Sequence, residues 1–143
     1  MPDTPILVSA CLAGIYCRYS GAVEPIEPVV DLVRKGLAVP FCPEVHGGLP
    51  TPRRPCEILG DRVVDADGAD RTAEFRRGAE EGLRLARLLG CRQAVLKSRS
   101  PSCGSGEVYD GTFTSTRVAG DGLFARLLKE HGITVRTEED LAG

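Results

Sequence analysis

No stretch of this 143-residue chain approaches the roughly eighteen consecutive apolar residues that a membrane-crossing helix needs. Met1 to Pro5 carries Asp3 and no basic cluster, and Ile6 to Ala10 is too short for the apolar core of a signal peptide. A cytoplasmic location is therefore expected. A surplus of positive charge is also lacking, because the formal net charge is −2, so nucleic acid is not an expected partner. Arg53-Arg54 and Arg76-Arg77 remain as local contacts for a small anion. There is no C-x2-C pair of the kind that structural zinc favours, the nearest approach being Cys11 and Cys17 with five residues between them. Nor is there an internal repeat or a low-complexity tract. What is left is a chain with 42% hydrophobic and 27% charged residues. That balance suits one globular domain over residues 1–143.

Against those absences stand six cysteines. In a reducing compartment they are thiols or ligands in preference to disulfides. Three share a local setting: Cys11, Cys42 and Cys103 each follow closely on a short apolar run and precede Gly or Pro. An apolar run of that length reads as a buried strand, and the Gly/Pro chemistry after it reads as a turn. If the strands are parallel, their ends share one edge of the sheet, where open α/β proteins hold ligands. Cys56 and Cys91 lie outside these settings and read as small buried residues.

The rest of the chain alternates in kind. Strands are expected at Ile6–Ala10, Leu37–Phe41, Gln93–Leu96 and Ile133–Arg136. Helices are expected at Pro25–Lys35, at Thr72–Leu89 with Thr72 as its cap, and at Gly122–Gly132. Gly78 and Gly82 interrupt the second helix and read as close-packing positions. Glu57–Leu59 and Arg62–Val64 flank Gly60-Asp61 as a hairpin. Cys42–Pro55 is dense in Pro and Gly and is expected to be irregular and functional. Lys97–Thr116 reads as loop. The order predicts an α/β, Rossmann-like layered domain with a mainly parallel sheet and a small hairpin insertion.

Three thiolates with an open fourth position suit an iron–sulfur cluster that does chemistry, while buried thiols that merely end strands fit the spacing equally well. Longer motifs carry a resemblance. Ser9-Ala10-Cys11-Leu12-Ala13-Gly14 with Cys17-Arg18-Tyr19-Ser20-Gly21, then Cys42-Pro43-Glu44-Val45-His46-Gly47-Gly48-Leu49-Pro50-Thr51-Pro52-Arg53, then Lys97-Ser98-Arg99-Ser100-Pro101-Ser102-Cys103-Gly104 and Tyr109-Asp110-Gly111 occur in order. Together they resemble the bacterial family, long known only as a domain of unknown function, that includes 2-thiouracil desulfurase. The resemblance runs from Ile6 to about Glu139. It implies a 4Fe–4S cluster held by Cys11, Cys42 and Cys103 with one iron left open, and a small thiolated heterocycle as substrate. One departure is Ser20, where the family motif usually has Asp. The missing carboxylate bears on substrate identity more than on fold.

Replacing C=S by C=O needs water and a general base, and Glu44, two residues after Cys42, is placed for that role. Ser102 and Ser100 offer hydroxyls, and Lys97 offers a cation for a sulfide or a heterocycle anion. His46 reads as a loop histidine bonded to backbone before it reads as an acid or ligand. Arg53 and Arg54 can bind an anionic tail, and Arg18 and Tyr19 brace the first loop. Cys17 exceeds a three-ligand count. Two other readings stay open: a closed four-thiolate metal module using Cys11, Cys17, Cys42 and Cys103, and a sulfur carrier with a reactive Cys17.

Overall fold

A computed structural model describes residues 4–141. Its centre is a four-stranded parallel sheet with β1 (Ile6–Ser9), β2 (Ala38–Phe41), β5 (Gln93–Leu96) and β8 (Thr134–Thr137) in the order β2-β1-β5-β8. Two antiparallel hairpins stand outside it: β3 (Cys56–Leu59) with β4 (Arg62–Asp65), and β6 (Glu107–Tyr109) with β7 (Arg117–Ala119). The helices are α1 (Glu27–Arg34), α2 (Pro43–His46), α3 (Thr72–Leu89) and α4 (Leu123–Glu130). No helix among the described residues is long and apolar enough to cross a membrane.

The mixed α/β architecture with a mainly parallel central sheet is as expected. Leu7, Ala94 and Leu96 face one layer and pack with Ala79, Leu83, Phe124 and Leu128 of α3 and α4. Val8 and Val95, one residue out of phase, face the other layer with Val29 of α1. Strand pleating thus splits the apolar runs between two cores, each fully buried side chain contributing about 1.5–3 kcal/mol. Both helical glycines are close-packing positions. A Cβ on Gly78 would run into the Pro43 carbonyl, and one on Gly82 into the rings of Phe124 and Phe41.

Four local expectations need correction. Thr72 does not cap α3 with its side chain; its hydroxyl accepts the Val63 N–H at 2.9 Å, tying the helix start to the first hairpin. Residues 42–55 are not wholly irregular, because Pro43 starts the single turn α2, where its missing N–H costs nothing. The span read as loop after β5, Lys97–Thr116, contains the strand β6, which pairs with β7 just beyond it. Cys11 sits in a 3₁₀ turn, Ala10–Ala13, that continues directly from β1.

Candidate active site

β1 pairs in parallel with both β2 and β5, so the C-terminal ends of all three strands fall at one sheet edge. Cys11 follows β1, Cys42 follows β2, and Cys103 follows β5 after a short loop. All three line one cavity of about 470 Å³. Cys17 lies against the first two: the Cys42 thiol points to the Cys17 carbonyl at 4.0 Å, and the Cys17 thiol shares its one proton with the neighbouring sulfurs of Cys11 and Cys42. This holds the Cys17 proton firmly, raising its pKa, and lowers the pKa of Cys11. Cys42 falls to about 7, chiefly through the Cys17 hydrogen bond, against the pull of burial. Burial pushes the Cys103 thiol up, while the Ser9 hydroxyl bonds to it and offsets part of the rise. Cys56 also lines the cavity and is raised to about 12 by burial. Cys91 is packed in the core, as expected.

A carboxylate network adjoins the thiols. Glu44, on α2, accepts Arg53 Nε at 3.1 Å and Nη2 at 2.9 Å on Oε1, and the Ser102 hydroxyl at 2.8 Å on Oε2. The Glu44 side chain is only 13% exposed and that of Arg53 7% exposed, so the pair is shielded from solvent. Ser100 Oγ lies 2.9 Å from Ser102 Oγ and accepts the N–H groups of Ser102 and Cys103. A carboxylate only accepts, so Ser102 donates to Glu44 and in turn accepts from Ser100. The hydroxyls therefore point in file toward Glu44.

A second network lies at the end of β5. Lys97 lines the cavity, with Nζ 2.9 Å from Glu138 Oε2. Glu138 also accepts the Ser98 N–H at 2.7 Å and the Ser98 hydroxyl at 2.8 Å. Burial opposes its charge, but these hydrogen bonds outweigh it and hold the carboxyl below its usual range. Sequence reasoning missed Glu138. Because β8 runs parallel to β5, whatever follows β8 lands at the same edge, and that signal was available in the strand order. Glu57, Tyr109 and Phe113 complete the far wall, and the roles of Glu57 and Phe113 were missed as well.

Most of the other candidates sit off the cavity wall. His46 stacks on Phe41 with ring centroids 4.4 Å apart, and its Nδ1 lies 3.0 Å from the Cys42 carbonyl. Arg54 pairs with Asp67, while Arg76 and Arg77 are exposed on α3. Arg18 lines the cavity and pairs with Glu24 at 3.0 Å. Ser20 is exposed, and its hydroxyl accepts the Ala22 N–H at 3.2 Å. It lies off the cavity wall, so the departure at this position leaves the lining intact.

Among the described residues, no three His, Cys, Asp or Glu side chains gather tightly enough to hold a single metal ion. A cube of iron and sulfide spreads its irons over its corners and takes thiolates farther apart. Three thiols anchored on separate strand ends and sharing one cavity fit that demand. A parallel α/β sheet with thiols collected at the C-terminal edge of its strands defines the class: an α/β protein whose candidate site is built at the sheet edge. The family model for 2-thiouracil desulfurase matches residues 6–140, and the chain belongs to that family. It is 42% identical to "Uncharacterized protein YbbK" of Bacillus subtilis strain 168, covering 95% of this chain and 97% of that one. It also resembles the solved structure of the [4Fe-4S]-dependent thiouracil desulfidase TudS. That similarity has a TM-score of 0.93 and 48% identity, covering 98% of this chain and 94% of the other.

Proposed function

We propose that this protein is an iron–sulfur-dependent desulfurase that converts the C=S group of a thiolated pyrimidine such as 2-thiouracil to C=O with release of sulfide. One observation carries the proposal: Cys11, Cys42 and Cys103 share a cavity with the hydrogen-bonded pair Glu44–Ser102. Family membership and the similarity to TudS support it. The residues to hold a 4Fe–4S cluster are Cys11, Cys42 and Cys103, with one iron left open. A bound cluster supplies a thiophilic Lewis acid for the thiocarbonyl sulfur.

The chain supplies the proton chemistry. Glu44 Oε1 is taken by both Arg53 bonds, while Oε2 accepts only from Ser102 and keeps a lone pair for water. Glu44 deprotonates that water at Oε2, and Arg53 and Ser102 fix the plane of its carboxylate. Lys97 balances negative charge on the departing sulfide or on the heterocycle, with Glu138 holding its ammonium at the wall. Water replaces sulfide at carbon, so atoms balance without an electron donor. The six cysteines are free thiols, which suits a reducing cytoplasm, and the reading takes residues 1–143 as one domain. The three-ligand reading is preferred to a closed four-thiolate site with Cys17 because it leaves one iron open for the thiocarbonyl sulfur.

The test is sulfide release from 2-thiouracil by anaerobically reconstituted protein, with and without dithionite. Release without reductant is expected. Turnover that appears only with reductant, at full cluster content, would overturn the hydrolytic reading. Absence of turnover under both conditions would overturn the desulfurase reading itself.

A further inference from the structure

The chain is poor in aromatic side chains, with four Phe, three Tyr and no Trp. Phe75 and Phe124 are buried in the core. Yet Tyr19, Phe41, Tyr109 and Phe113 all line the cavity that holds the thiols. Phe41 is 4% exposed and locked between His46 and Phe124, so it forms floor and not mouth. Phe113 is different. It lies half-buried on the loop joining β6 to β7, outside both helical cores.

That loop is held in an uncommon shape. Phe113 has φ +59° and Ser115 has φ +58°, left-handed values that a bulky side chain rarely adopts. Such strain persists only where the surroundings over-determine it, and it gathers at functional positions. Here the surroundings are specific. Glu57 Oε1 accepts the N–H of Gly111 at 2.9 Å and of Phe113 at 3.2 Å, two backbone donors on one carboxylate oxygen. The Asp110 N–H bonds the Thr116 carbonyl at 3.0 Å, closing the loop at its base. Thr112 donates to Asp110 at 2.6 Å, and the hydroxyls of Thr112, Thr114 and Thr116 continue as a ladder. None of these bonds buries apolar surface in the core. Their common result is to set the Phe113 ring in the cavity wall.

We propose that Phe113 is the specificity-determining residue of this cavity: its ring, presented by the strained β6–β7 loop, is the face on which a planar heterocycle stacks. Glu57 is its positioning residue. The inference rests on reading the cavity as a thiopyrimidine site, and it names what that reading leaves open, how a flat conjugated ring is chosen over a puckered one. Stacking between a base and an aromatic side chain tolerates exchange of the atoms on the ring edge, so it selects planarity and not the thiocarbonyl itself.

The test uses cluster-loaded protein and non-reacting probes: uracil, which is planar, and 5,6-dihydrouracil, which keeps the same polar edge on a puckered ring. Equilibrium dialysis should show wild type binding uracil about tenfold more tightly than the dihydro compound, the size expected of one stacking contact. Phe113→Ala and Phe113→Leu should bind the two equally, and Phe113→Tyr should restore the preference. In parallel, Phe113→Ala should raise KM for 2-thiouracil about tenfold with kcat within about twofold, since stacking binds substrate and transition state alike. A preference that survives Phe113→Ala or Phe113→Leu, or its absence from wild type, overturns the inference even if sulfide is released. A preference that Phe113→Ala abolishes, in a protein that releases no sulfide, keeps the inference and removes the desulfurase reading.

Discussion

The sheet side of the cavity carries thiols, hydroxyls and carboxylates on short connections pinned at strand ends; the hairpin side carries the aromatic rings of Tyr109, on β6, and Phe113, on the loop that follows it. On the first side, Cys11 sits in a turn that starts where β1 stops, and Cys42 directly follows β2. Their positions follow from the parallel register itself. On the second side, Phe113 owes its place to local hydrogen bonds and to one distant carboxylate, Glu57. The difference separates two tasks. Groups that react are fixed by the core, where a small displacement is costly. Groups that recognise shape sit on a segment that can change without disturbing the sheet.

The largest expected effect falls on the sheet side. Cys11→Ser, Cys42→Ser or Cys103→Ser should each abolish stable cluster assembly, measured as iron and sulfide per chain, whereas Cys17→Ser should retain it. Equal loss in all four variants would erase the distinction between ligand and neighbour. Next comes Glu44→Gln, which should keep the cluster spectrum and slow single-turnover sulfide release by about 10² to 10⁴. Near wild-type release at full occupancy would move the base elsewhere.

Two smaller effects sharpen the contrast through stability. Gly78→Ala sets a methyl group against the Pro43 carbonyl, which is backbone and yields poorly. A loss of about 3 kcal/mol in urea unfolding is expected, together with slower sulfide release because α2 carries Glu44. Glu138→Gln should cost about 1.5 kcal/mol at neutral pH, the scale of a hydrogen bond to a charged group. The Glu138 carboxyl is held below its usual range, so its contribution is complete above the unfolded value of about 4.3 and drains away as pH falls through the lower folded value. The gap between wild type and variant should therefore close below about pH 4. A gap constant to pH 3 would assign Glu138 a packing role alone.

The sheet side was also the legible side. β1, β2 and β5 announce themselves as apolar runs ended by Gly or Pro, and α3 by apolar residues three and four apart closed by Gly90. Once those strands are parallel, the meeting of Cys11, Cys42 and Cys103 follows. The hairpin side carried no such pattern. β7 has three residues, all exposed, so there is no alternation between faces to read. A single turn such as α2 is shorter than one helical period. The Glu138 and Glu57 contacts span 40 or more positions in sequence, and neither residue type nor spacing announces a pair at that range.

The separation of the thiols along the chain has a consequence for biogenesis. Between Cys42 and Cys103 lie the β3–β4 hairpin, all of α3 and β5. Only the finished sheet brings the two together, so no short peptide segment can chelate iron and then fold around it, as zinc-finger peptides do around zinc. The metal-free polypeptide must already own its tertiary structure, held by the two apolar layers on either side of the sheet. On the proposed ligand set, cofactor loading would be the last act of maturation: the donor that delivers the cluster would meet a folded acceptor, and loss of the cluster to oxygen would leave a molecule that can be refilled without being refolded.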